Sequence, residues 1–399
     1  MSRIVAISDY CDLVPPEPTR WRPEDFAAAW RRIPRPDPAP PPIAVTGGYL
    51  ERLPAACVAA GLVTHAEVWR FCGRDDGPFD SREALLQEGA ALAQDGPSGA
   101  LIHRVFRADP PGAPYGSADA RAHVAAFGQP EILCVWGLGV DRALLEACPD
   151  SLKIYNSIDA AAIRIPPEVS AAFDIFLTGA EWQSEEIRAR HPDALCAVLP
   201  IGPDFASDIT FRLLDLPRDY DVVYVAATQP YKRHDLLLDA LERLPRGTRA
   251  LCVAGYGHMT GELAMQAQAR GLHVDWRGPV GHDEVNALVN RARVGVVCGV
   301  QDGAPAILTE YMLAGLPVLA NAGLVCGLDY IRPETGLAAP EAEFAAALAH
   351  LIENHGNFTP RRVVQERWTW RHSVLRLASL IEQARARRAY KAAPRHEPG

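Results

Sequence analysis

The charged residues whose spacing could do chemistry lie in one stretch of the second half of the chain. Asp302 and Glu310 are separated by seven residues, in a segment where a β-branched run, a loop, a helix and a second run follow one another. Pro305 suits the first turn of that helix and Gly315 the position after its last residue. The start of a helix offers free backbone N–H groups and the positive end of its dipole, which suit a phosphate.

Each acidic residue of this stretch has two interpretations. Asp302 is either a ligand-binding residue or an ordinary N-cap of the helix. Glu310 sits among Ile307, Leu308 and Met312, so in a buried helix its carboxylate requires a partner. That partner is either a structural arginine or a ligand.

Two further stretches carry candidate binding residues. Lys232 and Arg233 stand at a loop-to-helix junction after a β-branched run, where a lysine is either a solvent-exposed side chain or a phosphate ligand. A later predicted strand is followed by a G-x-G-x-x-x-G pattern that begins at Gly255. Asp275 lies near the end of the next predicted strand. This imitates a dinucleotide-binding fingerprint and makes an oxidoreductase or epimerase the rival interpretation.

Taken in chain order, these stretches resemble the retaining glycosyltransferases of family 4, the glycosyl transferases group 1 with the GT-B fold. The segment from Asp302 to Val318 is similar to the family's two acidic residues seven apart, with Asp in place of the first Glu. The segment 221–241 resembles the family's strand, GR-xxxx-KG and helix, with Lys232 at the lysine and Ala227 at the arginine. The family explains three motifs in order, whereas the oxidoreductase explains one.

The resemblance implies roles for the matched residues. Glu310 would hold the ribose hydroxyls of a nucleotide, Asp302 would contact the transferred sugar, and Lys232 would meet the diphosphate. Arg233 is the candidate replacement for the missing arginine. The donor-binding positions implied are Gly48, Arg233, Gly255, Pro279, Val280, Gly303, Ala306 and Ile307. On the acceptor and sugar side the resemblance implies Asn156, where the family commonly has His, and Asp159.

Short β-branched runs alternate with helical patterns along the chain, which is typical of parallel α/β sheets. Strands are predicted at Arg3–Ser8, Ile43–Thr46, Ala66–Phe71, Ala100–Phe106, Ile132–Trp136, Lys153–Asn156, Ile175–Thr178, Ala197–Pro200, Asp221–Ala226, Arg249–Ala254, Val274–Arg277, Val294–Cys298, Pro317–Ala320 and Gly336–Ala338. Helices are predicted at Asp235–Arg243, Asp283–Arg291, Ile307–Ala314 and Thr369–Ala386.

The predicted fold class is α/β of the GT-B type, with two Rossmann-like doubly wound domains facing each other across a cleft. We expect an acceptor-side domain over 1–205 with a Pro-rich insertion at 33–42, and a linker over 206–219. A nucleotide-sugar-binding domain is expected over 220–368, followed by a C-terminal helix and basic tail over 369–399.

The net charge of −9 is unevenly distributed. The segment from Arg361 to Arg395 carries +8, so the rest of the chain carries −17, and so acidic a body argues against nucleic-acid binding. The basic segment either pairs with this acidic body or makes peripheral contact with anionic lipid. The nine cysteines include no CxxC pair, and no apolar stretch has the ~18 residues of a spanning helix. We expect a cytoplasmic protein, at most at the inner face of the membrane.

The sequence therefore predicts a hexosyltransferase that moves a sugar from a nucleotide-sugar donor to a saccharide, lipid-linked or small-molecule acceptor, with retention. No cofactor or metal is expected, because no DxD-type cluster stands beside the phosphate site. The alternatives are a non-catalytic GT-B scaffold that supports a partner, and the dinucleotide- or nucleotide-sugar-dependent oxidoreductase or epimerase.

Overall fold

The computed structural model of the protein describes residues 2–7, 45, 48–72, 91–92, 101–109 and 112–392. The chain divides into two compact units. Unit 1 comprises Met1–Leu199 and Ser373–Gly399, and unit 2 comprises Pro200–His372. The predicted strand Ile43–Thr46, apart from Val45, and the Pro-rich insertion 33–42 lie outside the described residues.

Unit 1 is built on an eight-stranded sheet of order β3-β4-β2-β1-β5-β6-β7-β8. The strands are β1 Arg3–Ile7, β2 His65–Cys72, β3 Ala91–Leu92, β4 Leu101–Arg107, β5 Ile132–Trp136, β6 Leu152–Asn156, β7 Ile175–Thr178 and β8 Leu195–Val198. All pair in parallel except β3, which runs antiparallel to β4 at the edge. The central strands β1, β5 and β6 are buried at every residue, as expected for a sheet covered on both faces.

Within its described residues, unit 1 has six helices that connect or cover these strands. They are α1 Tyr49–Ala59, α2 Ala118–Phe127, α3 Arg142–Glu146, α4 Pro167–Ser170, α5 Glu181–Arg190 and, after unit 2, the helix α13 Trp370–Ala392, which enters unit 1 at Ser373. Val374, Leu377, Ile381 and Ala384 are buried, so one stripe of α13 packs at helical spacing. Two of its guanidinium groups form ion pairs with carboxylates of unit 1, Arg385 with Glu131 and Arg388 with Asp174.

Unit 2 contains a six-stranded parallel sheet of order β11-β10-β9-β12-β13-β14. The strands are β9 Tyr220–Val225, β10 Arg249–Val253, β11 His273–Arg277, β12 Ala292–Val297, β13 Val318–Asn321 and β14 Gly336–Ala339. The helices are α6 Ile201–Asp204, α7 His234–Glu242, α8 Thr260–Ala269, α9 His282–Asn290, α10 Ile307–Leu313, α11 Phe344–Asn354 and α12 Pro360–Arg367.

The two faces of this sheet are covered by different helices. Val223 faces a core with α9, α10 and α12, whereas its neighbours Val222 and Tyr224 face a core with α7, α8 and α11. This alternation follows from the two-residue period of a strand. Unit 2 is therefore doubly wound.

The predicted fold class, two doubly wound parallel α/β domains, is confirmed. The predicted strands over described residues agree with the structure to within a few residues at each end. The exception is β3, which was not predicted because two residues are too short for a periodic pattern. The last helix is longer than predicted and ends at Ala392 instead of Ala386.

The segment 206–219, predicted as a linker, belongs to unit 2 in the structure. The backbone N–H groups of Arg212 and Leu214 donate to the side-chain oxygens of Asn286 and Asn290 on α9, at 3.1 and 2.8 Å. Tertiary hydrogen bonds thus order a stretch whose local sequence predicts no strand. Across the described part of the chain, no helix is long and apolar enough to cross a membrane.

Candidate active site

The strand order of unit 2 indicates where its sheet binds a ligand. From β9 the chain moves outward through β10 and β11, then returns to the other side of β9 with β12. In such sheets a crevice opens at the carboxyl ends of the two strands where the order reverses, here β9 and β12. The loops 226–233 and 298–306 follow these strands and form the candidate site.

The structure joins these two loops through Lys232 and Asp302. Lys232 closes the 3-10 turn Pro230–Lys232, and its Nζ donates to Oδ2 of Asp302. Their side chains are 15% and 13% exposed, so the pair is partly buried but remains accessible to a ligand. The N-cap interpretation of Asp302 is wrong, because the N-cap position of α10 is Ala306.

Two residues that the sequence did not single out position the loop 226–233, called here the lysine loop. The hydroxyl of Tyr224, fully buried on β9, donates to the backbone oxygen of Lys232 at 2.5 Å. A Cβ on Gly299 would lie 2.9 Å from the backbone oxygen of Tyr231 and 3.4 Å from Cα of Lys232. Only a glycine therefore lets the two loops approach so closely, and a glycine directly after a predicted strand was the available signal.

The helix α10 carries Glu310 and is anchored on both sides. The hydroxyl of Tyr311 accepts from the backbone N–H of Val225, the last residue of β9, at 2.7 Å. Its ring packs on Gly295, where a Cβ would lie 2.4 Å from the ring. Thr309 donates to the backbone oxygen of Pro203 at 3.0 Å. Glu310 lies between these two anchors and is 8% exposed.

The beginning and the end of α10 differ slightly from expectation. The helix begins at Ile307, two residues after Pro305, whose carbonyl accepts from the N–H of Leu308 at 3.2 Å. Gly315 follows the helix with a φ of 84°, which confirms its predicted place after the last turn. Gly303 is buried, and the predicted donor-binding residues Ala306 and Ile307 occupy the start of the helix.

Arg233 does not take part in the ion pair of its neighbour. It adopts a left-handed conformation with a φ of 53°, and its guanidinium binds Asp235 at 3.0 Å and both carboxylate oxygens of Glu341, at 2.7 and 3.1 Å. The hydrogen bond with Glu341, the largest cause, and the one with Asp235 raise the pKa of Arg233. Its charge is thus balanced by two carboxylates, while Ala227 is buried after β9.

Of the glycines after β10, Gly257 has a packing role. Gly257 has a φ of 122°, and a Cβ there would lie 2.4 Å from Oγ1 of Thr228 and 2.6 Å from its backbone N. The N–H of Thr228 donates to the oxygen of Tyr256 at 2.9 Å, which ties the loops after β9 and β10 together. A Cβ on Gly255, by contrast, meets nothing within 4 Å.

This arrangement weakens the dinucleotide-binding alternative. A dinucleotide fingerprint follows the first strand of the doubly wound sheet, which is β9 here. The residues after β9 are Ala226, Ala227 and Thr228, and the G-x-G pattern follows the second strand instead. Pro279 and Val280 follow β11 after Gly278, where Pro279 is exposed and Val280 packs against the core.

Gly48, Asn156 and Asp159, the other predicted site residues, belong to unit 1. The carbonyl of Gly48 accepts from the N–H of Glu51 and Arg52, both at 3.2 Å, at the start of α1. Asn156 ends β6 and is fully buried; neither its amide nitrogen nor its amide oxygen has a partner among the described residues. Asp159 binds Arg164 at 2.6 Å. A buried amide without partners is costly, which marks this strand end as unusual.

No group of three or more His, Cys, Asp or Glu is placed to hold a metal ion within the described ranges. The described cysteines are all free. With an ammonium at Lys232 and carboxylates at Asp302 and Glu310, the site residues offer groups that can stabilise negative charge and bind hydroxyl or phosphate groups.

A family model matches part of the chain. Residues 208–366, which hold the site loops and α10, match the model described as glycosyl transferases group 1. No curated protein sequence matches the chain.

Solved structures with the same fold extend the comparison to both units. The sucrose-phosphate synthase of Thermosynechococcus elongatus is 18% identical with a TM-score of 0.67, and the match covers 97% of this chain and 100% of that one. HepE of Anabaena, solved with UDP and glucose, is 13% identical with a TM-score of 0.61 over 96% and 100% of the two chains.

Other similar structures are longer than this protein. The chain spans 60% of the pneumococcal O-GlcNAc transferase GtfA, solved with UDP and GlcNAc, at 12% identity and a TM-score of 0.53 over 67% of this chain. Likeness at this level of identity concerns the fold. The fold of the chain is thus that of GT-B glycosyltransferases, and its second unit carries the match to glycosyl transferases group 1.

Proposed function

We propose that the protein is a glycosyltransferase that transfers a hexose from a nucleotide-sugar donor, with retention and without a metal ion. The observation that carries the proposal is the Lys232–Asp302 ion pair at the strand-order reversal of the unit that matches the family model. A partly exposed lysine paired with a carboxylate can exchange that partner for a diphosphate, because an ammonium is a compact point charge with three donors. Asp302 is then released to accept from sugar hydroxyls.

The proposed reaction breaks the bond between the anomeric carbon and the diphosphate oxygen. Negative charge develops on the diphosphate, and Lys232 stabilises it. Glu310 on α10 is proposed to accept from the ribose hydroxyls, so that the donor is held at two points. In a retaining transfer without a protein nucleophile, the leaving phosphate oxygen accepts the proton of the acceptor hydroxyl, which attacks the same face of the sugar.

The unpartnered amide of Asn156 supports a sugar-side role for the carboxyl edge of unit 1. The acceptor is proposed to be a saccharide, a lipid-linked sugar or a small molecule. Because the described cysteines are free, we propose a reducing compartment, the cytoplasm.

The experiment measures thermal stabilisation of the purified chain by UDP-, GDP-, ADP- and dTDP-linked sugars, followed by transfer and donor hydrolysis with excess EDTA present. A ligand that binds the native state raises the melting temperature. We test UDP-sugars first, since HepE and GtfA were solved with UDP. Absence of stabilisation by every donor would contradict the proposal, and rescue by magnesium after loss in EDTA would contradict metal independence.

The second candidate is a non-catalytic GT-B scaffold. Ala227 in place of the expected arginine favours it, because Arg233 is engaged with Asp235 and Glu341 instead of replacing that charge. Donor binding without transfer or hydrolysis, across a panel of acceptors, would support the scaffold over the enzyme.

A further inference from the structure

A second site is suggested by a cleft in unit 1, separate from the loops described above. It has a volume of about 390 Å³ and is formed by the residues before β7, the residues before β8 and the last turns of α13. All of these segments lie at the amino edge of the unit 1 sheet, whereas Asn156 lies at its carboxyl edge. We call it the basic cleft.

The charge of the basic cleft opposes the charge of the whole protein. Its lining includes four cations, Arg190, Arg387, Arg388 and Lys391, and two carboxylates, Asp174 and Asp193. Burial, and after it the charge of Arg190, lowers the pKa of His191, so this imidazole is counted as neutral. The cleft therefore carries +2 on a chain whose net charge is −9.

Only one of these cations is engaged by a carboxylate of the cleft. Arg388 binds Asp174 through two hydrogen bonds of 2.6 Å and donates to the oxygen of Ser151 at 2.7 Å, which fixes α13 in place. Arg387 donates to the backbone oxygen of Asp193 at 3.0 Å, and Arg190 to that of Ile165 at 3.3 Å.

The uncompensated cations can meet an anion together. Among the described residues, Arg190, Arg387 and Lys391 form no salt bridge. Each arginine has five N–H donors, and the carbonyl contacts use few of them. All three cations line the cleft, with the buried rings of Phe173 and Phe176 in its wall.

We propose that the basic cleft binds a phosphate-bearing molecule. Arginine forks match the geometry of phosphate oxygens, and charge-assisted hydrogen bonds are the stronger kind. The volume lies in the range of small-molecule sites and exceeds what a lone phosphate group occupies. The phosphate is carried either by a soluble ester or by a lipid head group, and the two sources are separated by experiment.

The first arm measures binding of inorganic pyrophosphate to the full chain by calorimetry. Arg387→Gln should weaken binding about tenfold, as expected when a charged hydrogen-bond donor is lost. Arg385→Gln is the matched control, because it removes the same charge two residues away on α13, where Arg385 binds Glu131 outside the cleft. Binding should persist in Lys232→Ala, which separates this site from the proposed donor site.

The second arm measures cosedimentation with phosphatidylglycerol vesicles, with phosphatidylcholine vesicles as the control. Vesicle binding that Arg387→Gln removes and Arg385→Gln preserves supports the site and identifies a lipid head group as the source. Equal losses in both variants would show general attraction to basic residues and overturn the proposal. Binding of neither pyrophosphate nor vesicles would overturn it as well, whatever the outcome for donor transfer.

Discussion

The two units share a doubly wound parallel sheet but place their charged residues differently. In unit 1 a carboxylate lies inside the sheet: Glu67 on β2 binds Arg104 at 2.8 Å, Arg3 at 3.3 Å and the indole N–H of Trp69 at 2.7 Å. In unit 2 the pair Lys232–Asp302 lies at the strand ends. Glu67 and Arg104 are each 1% exposed, whereas Lys232 and Asp302 are 15% and 13% exposed.

The two units use charged residues for different purposes within the same topology. Burial acts to raise the pKa of Glu67, but Arg104, Arg3 and the hydrogen bonds outweigh it and hold the pKa at about 2. A carboxylate with this many partners has little left to offer a ligand, and its loss removes a counter-charge of two cations in the core. The Lys232–Asp302 pair is partly exposed at a strand-order reversal, so a ligand can compete for its ammonium at smaller cost to the fold.

The largest effect is expected from Glu67→Ala. Removing one partner of a buried ion network leaves uncompensated charges and costs about 3–5 kcal/mol of stability. Urea unfolding followed by tryptophan fluorescence measures the loss. The control is Glu51→Ala, which breaks the more exposed pair with Arg70 and should cost less than about 1 kcal/mol. Equal costs for the two variants would contradict the distinction between the buried Glu67 network and the partly exposed ion pairs.

Lys232→Ala should affect turnover instead of stability. Loss of one group that stabilises developing charge lowers kcat on the order of a hundredfold, and more than it weakens donor binding. Steady-state kinetics with the best donor provides the measurement. Arg233→Ala is the matched control and should lose less, since Arg233 binds Asp235 and Glu341. Unchanged turnover in Lys232→Ala would remove the ion pair from the chemistry.

Glu310→Ala should weaken nucleotide binding by about 1–3 kcal/mol, the cost of losing hydrogen bonds to the ribose. Calorimetric titration with the nucleoside diphosphate tests this, with Glu310→Gln as a variant that keeps the side-chain volume of this buried position. The exposed Glu343→Ala is the control. If all variants bind as tightly as the wild type, Glu310 has a structural role only.

The smallest effects concern one buried histidine in each unit. Burial first, and then Arg104 for His123 and Lys232 for His234, lowers the pKa of each imidazole to about 4. In the unfolded state each imidazole has a pKa near 6.5. Between about pH 4 and pH 6.5 it therefore binds a proton that the folded state does not bind. Stability should therefore be complete above about pH 6.5 and fall toward pH 4, by about 1.4 kcal/mol per pH unit for each histidine.

His123→Phe and His234→Phe should each remove one such contribution. Neither ring nitrogen of either histidine has a partner among the described residues, so phenylalanine fits chemically. Unfolding at pH 5 and pH 7 measures the change. A slope that survives in both variants would locate the proton uptake elsewhere.

The amino-acid sequence by itself determines most of the architecture. Strands such as Ile132–Trp136 and Ile175–Thr178 are predicted residue for residue, because buried parallel strands are continuous apolar runs between turn signals. The end of α10 at Gly315 is equally local, since a residue after a helix with positive φ favours glycine. Lys232, Asp302 and Glu310 are recognisable from type and spacing, and their proposed roles remain predictions.

Tertiary structure decides which of these residues meet. No local rule shows that Lys232 binds Asp302, seventy positions away. The adjacent Arg233, whose backbone is left-handed, binds Glu341 instead. Likewise, the sequence does not reveal that Gly299 admits the lysine loop or that Tyr311 ties α10 to β9. Propensity and periodicity act over a few residues, whereas these contacts depend on the order in which strands join the sheet.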